Sequence, residues 1–362
     1  KFGSTKEQNI STMKPYGVWA VIAPFNFPAA ILVGMCAGAL ITGNTVIIKP
    51  ASDTPIIGYK IVEIMLEAGI PNGVLNFVPG SGLEIGKTII ESKQVAGIVF
   101  TGSREVGYRL MTESSKSKPR PVIAELGGKN ATIVADTANL DMAAEGVAKA
   151  AFSFSGQKCS ACSPVYVQKK IKTKFLSKLI EKTKQLNVEN PKERESFMGP
   201  VINLNAYKNF KRYSKLASKQ GNILTGGSVK QNGDLEHGFY VEPTIVDGLP
   251  AHHPLLMKEL FVPILCIREY DNFDNAIKMT NESEYGLTSG IYSKKKEEIS
   301  KFLQHIEAGV VYVNRKKSST TGAMVGCQSF GGWKDSGTTG KGTGGRYYLT
   351  QFMREQSQTI VK

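Results

Sequence analysis

The sequence predicts an α/β fold in two domains. At 362 residues the chain is too long for one ordinary core. Hydrophobic residues make up 41% and charged residues 21%, the composition of a globular chain. Strand-like and helix-like runs alternate along most of its length, which is the signature of βαβ units around parallel sheets.

Val18 to Ala23 and Thr45 to Ile48 are β-rich runs flanking the apolar segment Pro28–Ile41, which reads as a buried helix. Pro55 opens the next helix, where its missing N–H costs nothing, and Gly69 followed by Pro71 closes it. Val74 to Val78 is a strand. Pro79-Gly80-Ser81-Gly82 then turns into a helix that runs through Glu91, and Gly97 to Phe100 is the strand that leads into Thr101-Gly102-Ser103. After Glu125 a second series begins, with strands at Ala131–Val134, Val165–Gln168, Val262–Arg268, Leu287–Tyr292 and Val310–Asn314. Lysine-rich amphipathic stretches at Lys172–Lys184 and Tyr207–Lys219 read as outer helices. The closing Gln358–Val361 is strand-like with no hairpin partner nearby, so its partner is either distant in sequence or on another chain.

Composition removes several functional classes. The most apolar run is too short to span a bilayer, and Lys1 to Lys14 lacks the apolar core of a leader, so a cytoplasmic, membrane-free protein is expected. Lys and Arg outnumber Asp and Glu by 45 to 31, a net charge of +14. The lysines are scattered and often lie beside glutamates, with no basic stripe interleaved by aromatics, so no specific nucleic-acid partner is expected. Five cysteines, an odd number and widely spaced, indicate a reducing compartment. Cys159 and Cys162 form a single CxxC with no second pair and few histidines, so no metal is expected.

Three places carry chemistry. Cys159, in Gly156-Gln157-Lys158-Cys159-Ser160-Ala161-Cys162, lies on a connection between a helix and a strand, where backbone amides and solvent can activate a thiol. Taken alone, a cysteine is more often a small buried hydrophobe than a nucleophile, and it is the place of Cys159 on this connection that favours the nucleophile. Glu125 ends an apolar strand before Gly127-Gly128, glycines that allow a ligand close to the backbone. Asn26, framed by Pro24, Phe25, Phe27 and Pro28, is either a turn former or a rigid donor to an oxyanion.

Taken in order, Pro24-Phe25-Asn26-Phe27-Pro28, Lys49-Pro50-Ala51, Phe100-Thr101-Gly102-Ser103, Glu125-Leu126-Gly127-Gly128-Lys129, Gly156-Gln157-Lys158-Cys159, Glu259-Leu260-Phe261 and Phe330-Gly331-Gly332 resemble the motifs of the aldehyde dehydrogenase superfamily. The separations are also family-like: 23 residues from Gly102 to Glu125 and 34 from Glu125 to Cys159. Gln157-Lys158-Cys159-Ser160-Ala161-Cys162 and Thr321-Gly322-Ala323-Met324-Val325-Gly326 resemble in particular the 1-pyrroline-5-carboxylate (glutamate-semialdehyde) dehydrogenases.

The resemblance implies a Rossmann-like cofactor domain (16–127, incomplete), an α/β catalytic domain (128–345) and a small oligomerisation element. That element would combine a hairpin remnant (1–15) with a terminal strand (346–362), in a homo-oligomer built on a dimer. It implies NAD(P)-dependent oxidation of a small-molecule aldehyde to an acid through a thioester, with glutamate semialdehyde to glutamate in proline degradation as the expected reaction. Cys159 would be the nucleophile, Asn26 the oxyanion donor and Glu125 the base. Ala23, Phe25, Lys49, Ser52, Gly102, Ser103, Glu259 and Phe261 would bind the cofactor. Ser160, Gly322, Ala323 and Phe330 would bind the substrate. NAD is expected. Ser52 stands where many relatives carry a Glu, so NADP use is open as well.

Pro164 departs from the family's usual Arg after the nucleophile, and Cys327 and Ser329 alter the segment before Phe330. Lys1 falls where the family is entering its oligomerisation hairpin, so part of the cofactor domain is expected to be missing. Two rival readings stay open: another semialdehyde dehydrogenase, such as one for succinate semialdehyde, and a catalytically silent structural or binding subunit.

Overall fold

The β-rich runs of the first third are strands of one parallel sheet. The computed structural model describes residues 6–322 and 327–361, and its Cα positions divide into two units: 6–125 with 327–330 and 341–361, and 126–322 with 331–340.

In the first unit β1 (Glu7–Pro15) precedes β2 (Val18–Ile22), α1 (Ala30–Ile41), β3 (Thr45–Lys49), α2 (Pro55–Glu67), β4 (Leu75–Phe77), α3 (Glu84–Glu91), β5 (Val95–Thr101), α4 (Arg104–Ser117) and β6 (Val122–Glu125). The sheet order is β4-β3-β2-β5-β6, all parallel. The chain therefore starts at the middle strand, winds outward through β3 and β4, and returns to β5 on the other side of β2. That reversal is a topological switch point, and ligands of open α/β sheets bind at the carboxyl ends of the strands there. Local chemistry sets the helix ends. Pro55 sits in the first turn of α2, and Gly69 beyond its end has φ of 98°.

The core of this unit joins Trp19, Val21, Val46 and Ile48 from the sheet to Leu32, Met35 and Cys36 from α1, with Tyr348 and Phe352 from the far end of the chain. Phe352 is fully buried, its ring centroid 4.7 Å from that of Trp19. A Cβ on Gly38 would stand 2.8 Å from the Phe352 ring, so α1 needs a residue without one there. Asn44 ties the same region together: its Oδ1 accepts from the N–H groups of Tyr16 and Gly17 and its Nδ2 donates to the Phe352 carbonyl. Phe352→Ala is expected to destabilise this unit by roughly 3–5 kcal/mol. A urea titration followed by the emission of buried Trp19 checks it, and an unchanged midpoint would count against this packing.

The second unit begins with β7 (Asn130–Val134), α5 (Leu140–Phe152), β8 (Cys162–Gln168), α6 (Lys172–Lys184), α7 (Leu204–Gln220), β9 (Asn222–Thr225) and β10 (Thr244–Asp247). It continues through α8 (Pro254–Met257), β11 (Ile264–Tyr270), α9 (Phe273–Asn281), β12 (Tyr285–Gly286), β13 (Thr288–Tyr292), α10 (Lys296–His305), β14 (Val310–Val313) and β15 (Trp333–Lys334). Its main sheet has the order β14-β13-β7-β8-β11-β10-β9, parallel except for β9, while β12 and β15 pair separately. The central strands β7, β8 and β13 of this sheet are buried on both faces. Val134, Val165 and Val167 pack toward Phe152, Phe175 and Leu179 of α5 and α6, while Ile133 and Tyr166 pack toward Ile277 and Phe302 of α9 and α10. The lysine-rich α6 is an outer helix, as its pattern predicted, with Phe175 and Leu179 inward, Lys174 and Lys184 exposed and its other lysines half-buried.

The terminal strand is longer than the sequence indicated. β16 (Met353–Val361) pairs antiparallel with β1 over nine residues, from Pro15↔Met353 to Glu7↔Val361. The distant partner left open by the sequence is thus β1 of the same chain.

Among the described residues no helix is long and apolar enough to cross a membrane, and no three His, Cys, Asp or Glu side chains are grouped to hold a metal.

Candidate active site

In the second unit α5 ends at Phe152, and the chain turns sharply through Phe154 and Ser155, both left-handed at φ of 58° and 54°, then Gly156 at 66°. Left-handed backbone at a non-glycine residue costs energy and persists only where the surroundings enforce it. Here they do. The Ser155 hydroxyl donates to the Gly199 carbonyl at 2.7 Å, and Gln157 Oε1 accepts from the Ile202 N–H at 3.0 Å. Gly156 must be glycine, since a Cβ would lie 2.8 Å from the Val262 carbonyl group.

The turn delivers Cys159 to the connection before β8. Asn130, at the start of β7, donates through Nδ2 to the carbonyls of Cys159 (2.6 Å) and Ala161 (3.0 Å), while its Oδ1 accepts from the Thr288 N–H. Thr320 Oγ1 donates to the Ser160 carbonyl at 2.8 Å. The loop's carbonyls are therefore tied inward, and Cys159 itself is half-exposed.

Three residues on, Cys162 is fully enclosed. Its thiol lies 3.2 Å from Thr132 Oγ1, and burial pushes it above the usual thiol range. The two cysteines of the CxxC have opposite environments, and only Cys159 has the access a nucleophile needs.

The glycine pair ahead of Asn130 is equally constrained. A Cβ on Gly128 would stand 2.4 Å from the Cys159 carbonyl oxygen, and one on Gly127 would stand 2.2 Å from the Glu259 carboxylate. The Gly128 N–H donates to Glu259 Oε1 at 2.9 Å, so one short backbone segment supports both the cysteine loop and Glu259. Two residues beyond Glu259, Phe261 is half-buried with φ of 56°. Lys129 is fully buried, its ammonium bonded to the Leu255 carbonyl and Ser163 Oγ, and burial holds it below the usual lysine range. Ser160 is buried. Gly322 is exposed with φ of 93°, and its carbonyl accepts from Arg315 at 2.7 Å. Ala323 lies outside the described residues.

In the first unit a cavity of about 500 Å³ opens beside the switch point. It is lined by Ile22, Lys49 and Phe100 from the strand ends, by the segment from Ser81 to Ile90, and by Val106, Arg109 and Leu110 of α4. Ser52 also lines it. Its walls are largely apolar, Lys49, Lys87 and Arg109 supply positive charge, and no lining residue carries a carboxylate. Lys49 is buried, which lowers its pKa, and it donates to the Pro50 carbonyl at 2.9 Å. Ser103 caps α4 by accepting from the Val106 N–H, so the helix amino terminus starts beside Gly102. A Cβ on Gly102 would stand 2.4 Å from the Phe100 ring. The Gly102 N–H donates to the Glu125 carbonyl, placing half-buried Glu125 on the adjoining strand end.

Ala23 continues the ladder through its N–H to the Lys49 carbonyl. Phe25 is half-buried and Asn26 buried, just before Phe27 at φ of 56°. Phe330 bridges to Thr343 in the same unit. Asn26, Glu125, Phe330 and the cavity residues thus belong to the first unit, and Cys159, Ser160, Glu259, Phe261 and Gly322 to the second.

Sequence reasoning missed the supports Asn130, Thr320 and Arg315. Asn130 directly follows the Gly-Gly-Lys run, so an amide next to the motif was a usable signal; Thr320 and Arg315 offered none.

A family model described as "Aldehyde dehydrogenase family" matches residues 1–358. The chain is 42% identical over 351 residues to a 1-pyrroline-5-carboxylate dehydrogenase of Geobacillus kaustophilus (strain HTA426), covering 96% of this chain and 66% of that one. It is 39% identical over 359 residues to 1-pyrroline-5-carboxylate dehydrogenase 1 of Halalkalibacterium halodurans, covering 98% and 68%. Among solved structures, the 1-pyrroline-5-carboxylate dehydrogenase from Thermus with bound NAD matches with a TM-score of 0.95 at 36% identity, over 100% of this chain and 69% of that one. Proline utilization A from Bdellovibrio bacteriovorus matches with a TM-score of 0.94 at 39% identity, over 99% and 37%. The chain spans about two thirds of the length of the curated relatives it matches.

Proposed function

The chain belongs to the aldehyde dehydrogenase family, and from that premise we propose that it oxidises glutamate semialdehyde, the open form of 1-pyrroline-5-carboxylate, to glutamate with NAD. The observation that carries this reading is the contrast within the CxxC: a half-exposed Cys159 on a loop held by Asn130 and Thr320, above a buried and inert Cys162.

Cys159 Sγ attacks the aldehyde carbon. The Asn26 amide and the Cys159 N–H hold the oxyanion, each such donor being worth about 3 kcal/mol in the transition state. Asn26 suits that task because it is buried in a proline-flanked turn next to a left-handed Phe27. When bound, the nicotinamide supplies the hydride acceptor. Glu125 takes a proton from water, which hydrolyses the acyl group from Cys159.

The cavity at the switch point fits a dinucleotide. Apolar walls suit an adenine, Lys49 a ribose, and the α4 amino terminus at Gly102 and Ser103 a pyrophosphate. Ala23 and Phe25 follow β2 toward the same end, and Glu259 and Phe261 serve the nicotinamide ribose and ring. Ser52 among basic neighbours leaves a 2′-phosphate unopposed, so NADP is accepted too. Ser160, Gly322, Ala323 and Phe330 are the substrate-binding residues of this reading, the first three for the substrate's carboxylate. The β1–β16 ribbon is proposed as the contact of a homo-oligomer, since exposed strand pairs invite pairing between chains.

The test is reduced-nicotinamide absorbance with a panel of aldehydes and both cofactors. Preferred turnover of 1-pyrroline-5-carboxylate is expected. Preference for succinate semialdehyde would reassign the substrate, and no turnover of any aldehyde would leave a binding subunit.

A further inference from the structure

We propose that Arg315 is a positioning residue that sets the selectivity for carboxylate-bearing aldehydes, by gripping two successive carbonyls and so turning the Gly322 N–H outward as a carboxylate donor. This rests on the reading of Ser160 and Gly322 as the residues that receive the substrate's carboxylate.

The grip is direct. Arg315 Nη1 donates to the Thr321 carbonyl and Nη2 to the Gly322 carbonyl, each at 2.7 Å. A guanidinium is a planar fork of donors, suited to holding two acceptors side by side. In extended backbone successive carbonyls face opposite ways. At Gly322 a φ of 93°, which glycine adopts cheaply, brings both to one guanidinium. A Cβ there would stand 3.2 Å from Nη2, closer than the fork comfortably allows.

Peptide planarity gives the grip its consequence. In a trans peptide the N–H of one residue points opposite to the carbonyl before it. With the Thr321 carbonyl drawn onto Arg315, the Gly322 N–H is turned away from it. Gly322 is exposed, and among the described residues nothing accepts from this N–H. The preceding Thr321 N–H is already engaged by Ser318 Oγ at 3.1 Å.

Arg315 is itself fixed. Its carbonyl accepts from the buried Tyr292 hydroxyl at 2.6 Å, and its guanidinium lies over the Tyr312 ring at 4.9 Å. Burial raises the Tyr312 phenol, so that ring stays neutral, and among the described residues no carboxylate pairs with Arg315. A half-buried positive charge therefore stands behind the loop and favours an anion in front of it. The same loop reaches the nucleophile: Thr320 donates to the carbonyl of Ser160, the residue after Cys159. Segment 315–322 thus carries the orientation set by Arg315 to the loop on which the aldehyde would react.

The experiment measures binding of L-glutamate, the proposed product, by calorimetry, together with kcat/KM for 1-pyrroline-5-carboxylate and for butanal, which has no carboxylate. In Arg315→Met the glutamate affinity is expected to fall by roughly 10- to 100-fold, the worth of a hydrogen bond to a charged group. The ratio of the two kcat/KM values is expected to fall by a similar factor, through KM for 1-pyrroline-5-carboxylate. A merely structural arginine would lower thermal stability and the rates on both aldehydes alike, and an unchanged ratio overturns the proposal. Arg315→Lys keeps the charge without the fork, and glutamate binding is expected to weaken there too. Native affinity in that variant overturns the geometric argument even should the Met variant not fold. A native chain that binds no glutamate fails the carboxylate reading and this proposal with it. Native binding that survives intact in Arg315→Met fails this proposal alone.

Discussion

Replacing Cys159 by Ala is expected to lower aldehyde oxidation by a factor on the order of 10⁴ or more, the scale seen when an enzyme loses its nucleophile. Cys162→Ala is expected to leave most of the activity. The difference follows from surroundings rather than residue type. Cys159 reaches solvent from a loop whose carbonyls are tied back by Asn130 and Thr320. Cys162 is buried against Thr132, and its thiol is pushed up, so it has neither access nor the charge for attack. Removing its sulfur leaves a small cavity and a modest loss of stability. Steady-state rates with purified variants decide it: an active Cys159→Ala would sink the assignment, and an inactive but folded Cys162→Ala would move the nucleophile.

Glu125→Gln is expected to separate the two halves of the reaction. A pre-steady-state burst of reduced cofactor should remain, about one equivalent per site, while turnover falls by roughly 10²–10⁴, the usual worth of a general base. An amide keeps the size and the backbone position, including the Gly102 N–H bond to the residue 125 carbonyl, but cannot take a proton from water. The acyl group should then persist on Cys159 and be visible as added mass. Loss of the burst together with turnover would place Glu125 at the first step instead.

Much of this was legible in the sequence because local rules and the fold agree. Pro55 and Gly69 bracket α2 as expected, and the alternation of strand and helix signals is the parallel sheet of the first unit. The candidate residues were legible as motifs. What holds them was not. Asn130 reaches the carbonyls of Cys159 and Ala161 across about thirty positions, and Thr320 reaches Ser160 across 160. Such contacts are set by tertiary register, which no periodicity records. The same holds for β16, whose nine-residue match to β1 joins opposite ends of the sequence. Its residues alternate too weakly in hydrophobicity to announce a length, and only Gln358–Val361 stood out as strand-like. Lys158 is the opposite case: it was visible within the motif, but its burial beside Ser153 was not.

The way Phe352 and Tyr348 complete the core around Trp19 has a consequence for synthesis on the ribosome. Domains ordinarily fold as they emerge, the first before the second. Here the five-stranded sheet emerges first, yet the aromatic rings that close its core, and the carbonyl that Asn44 Nδ2 binds, are translated only after residues 126–340. The second unit has all its strands by then and can finish ahead of its predecessor. Until the last segment arrives, the nascent first unit exposes Trp19 and the face of α1 around Gly38, and chaperones have that interval in which to bind it.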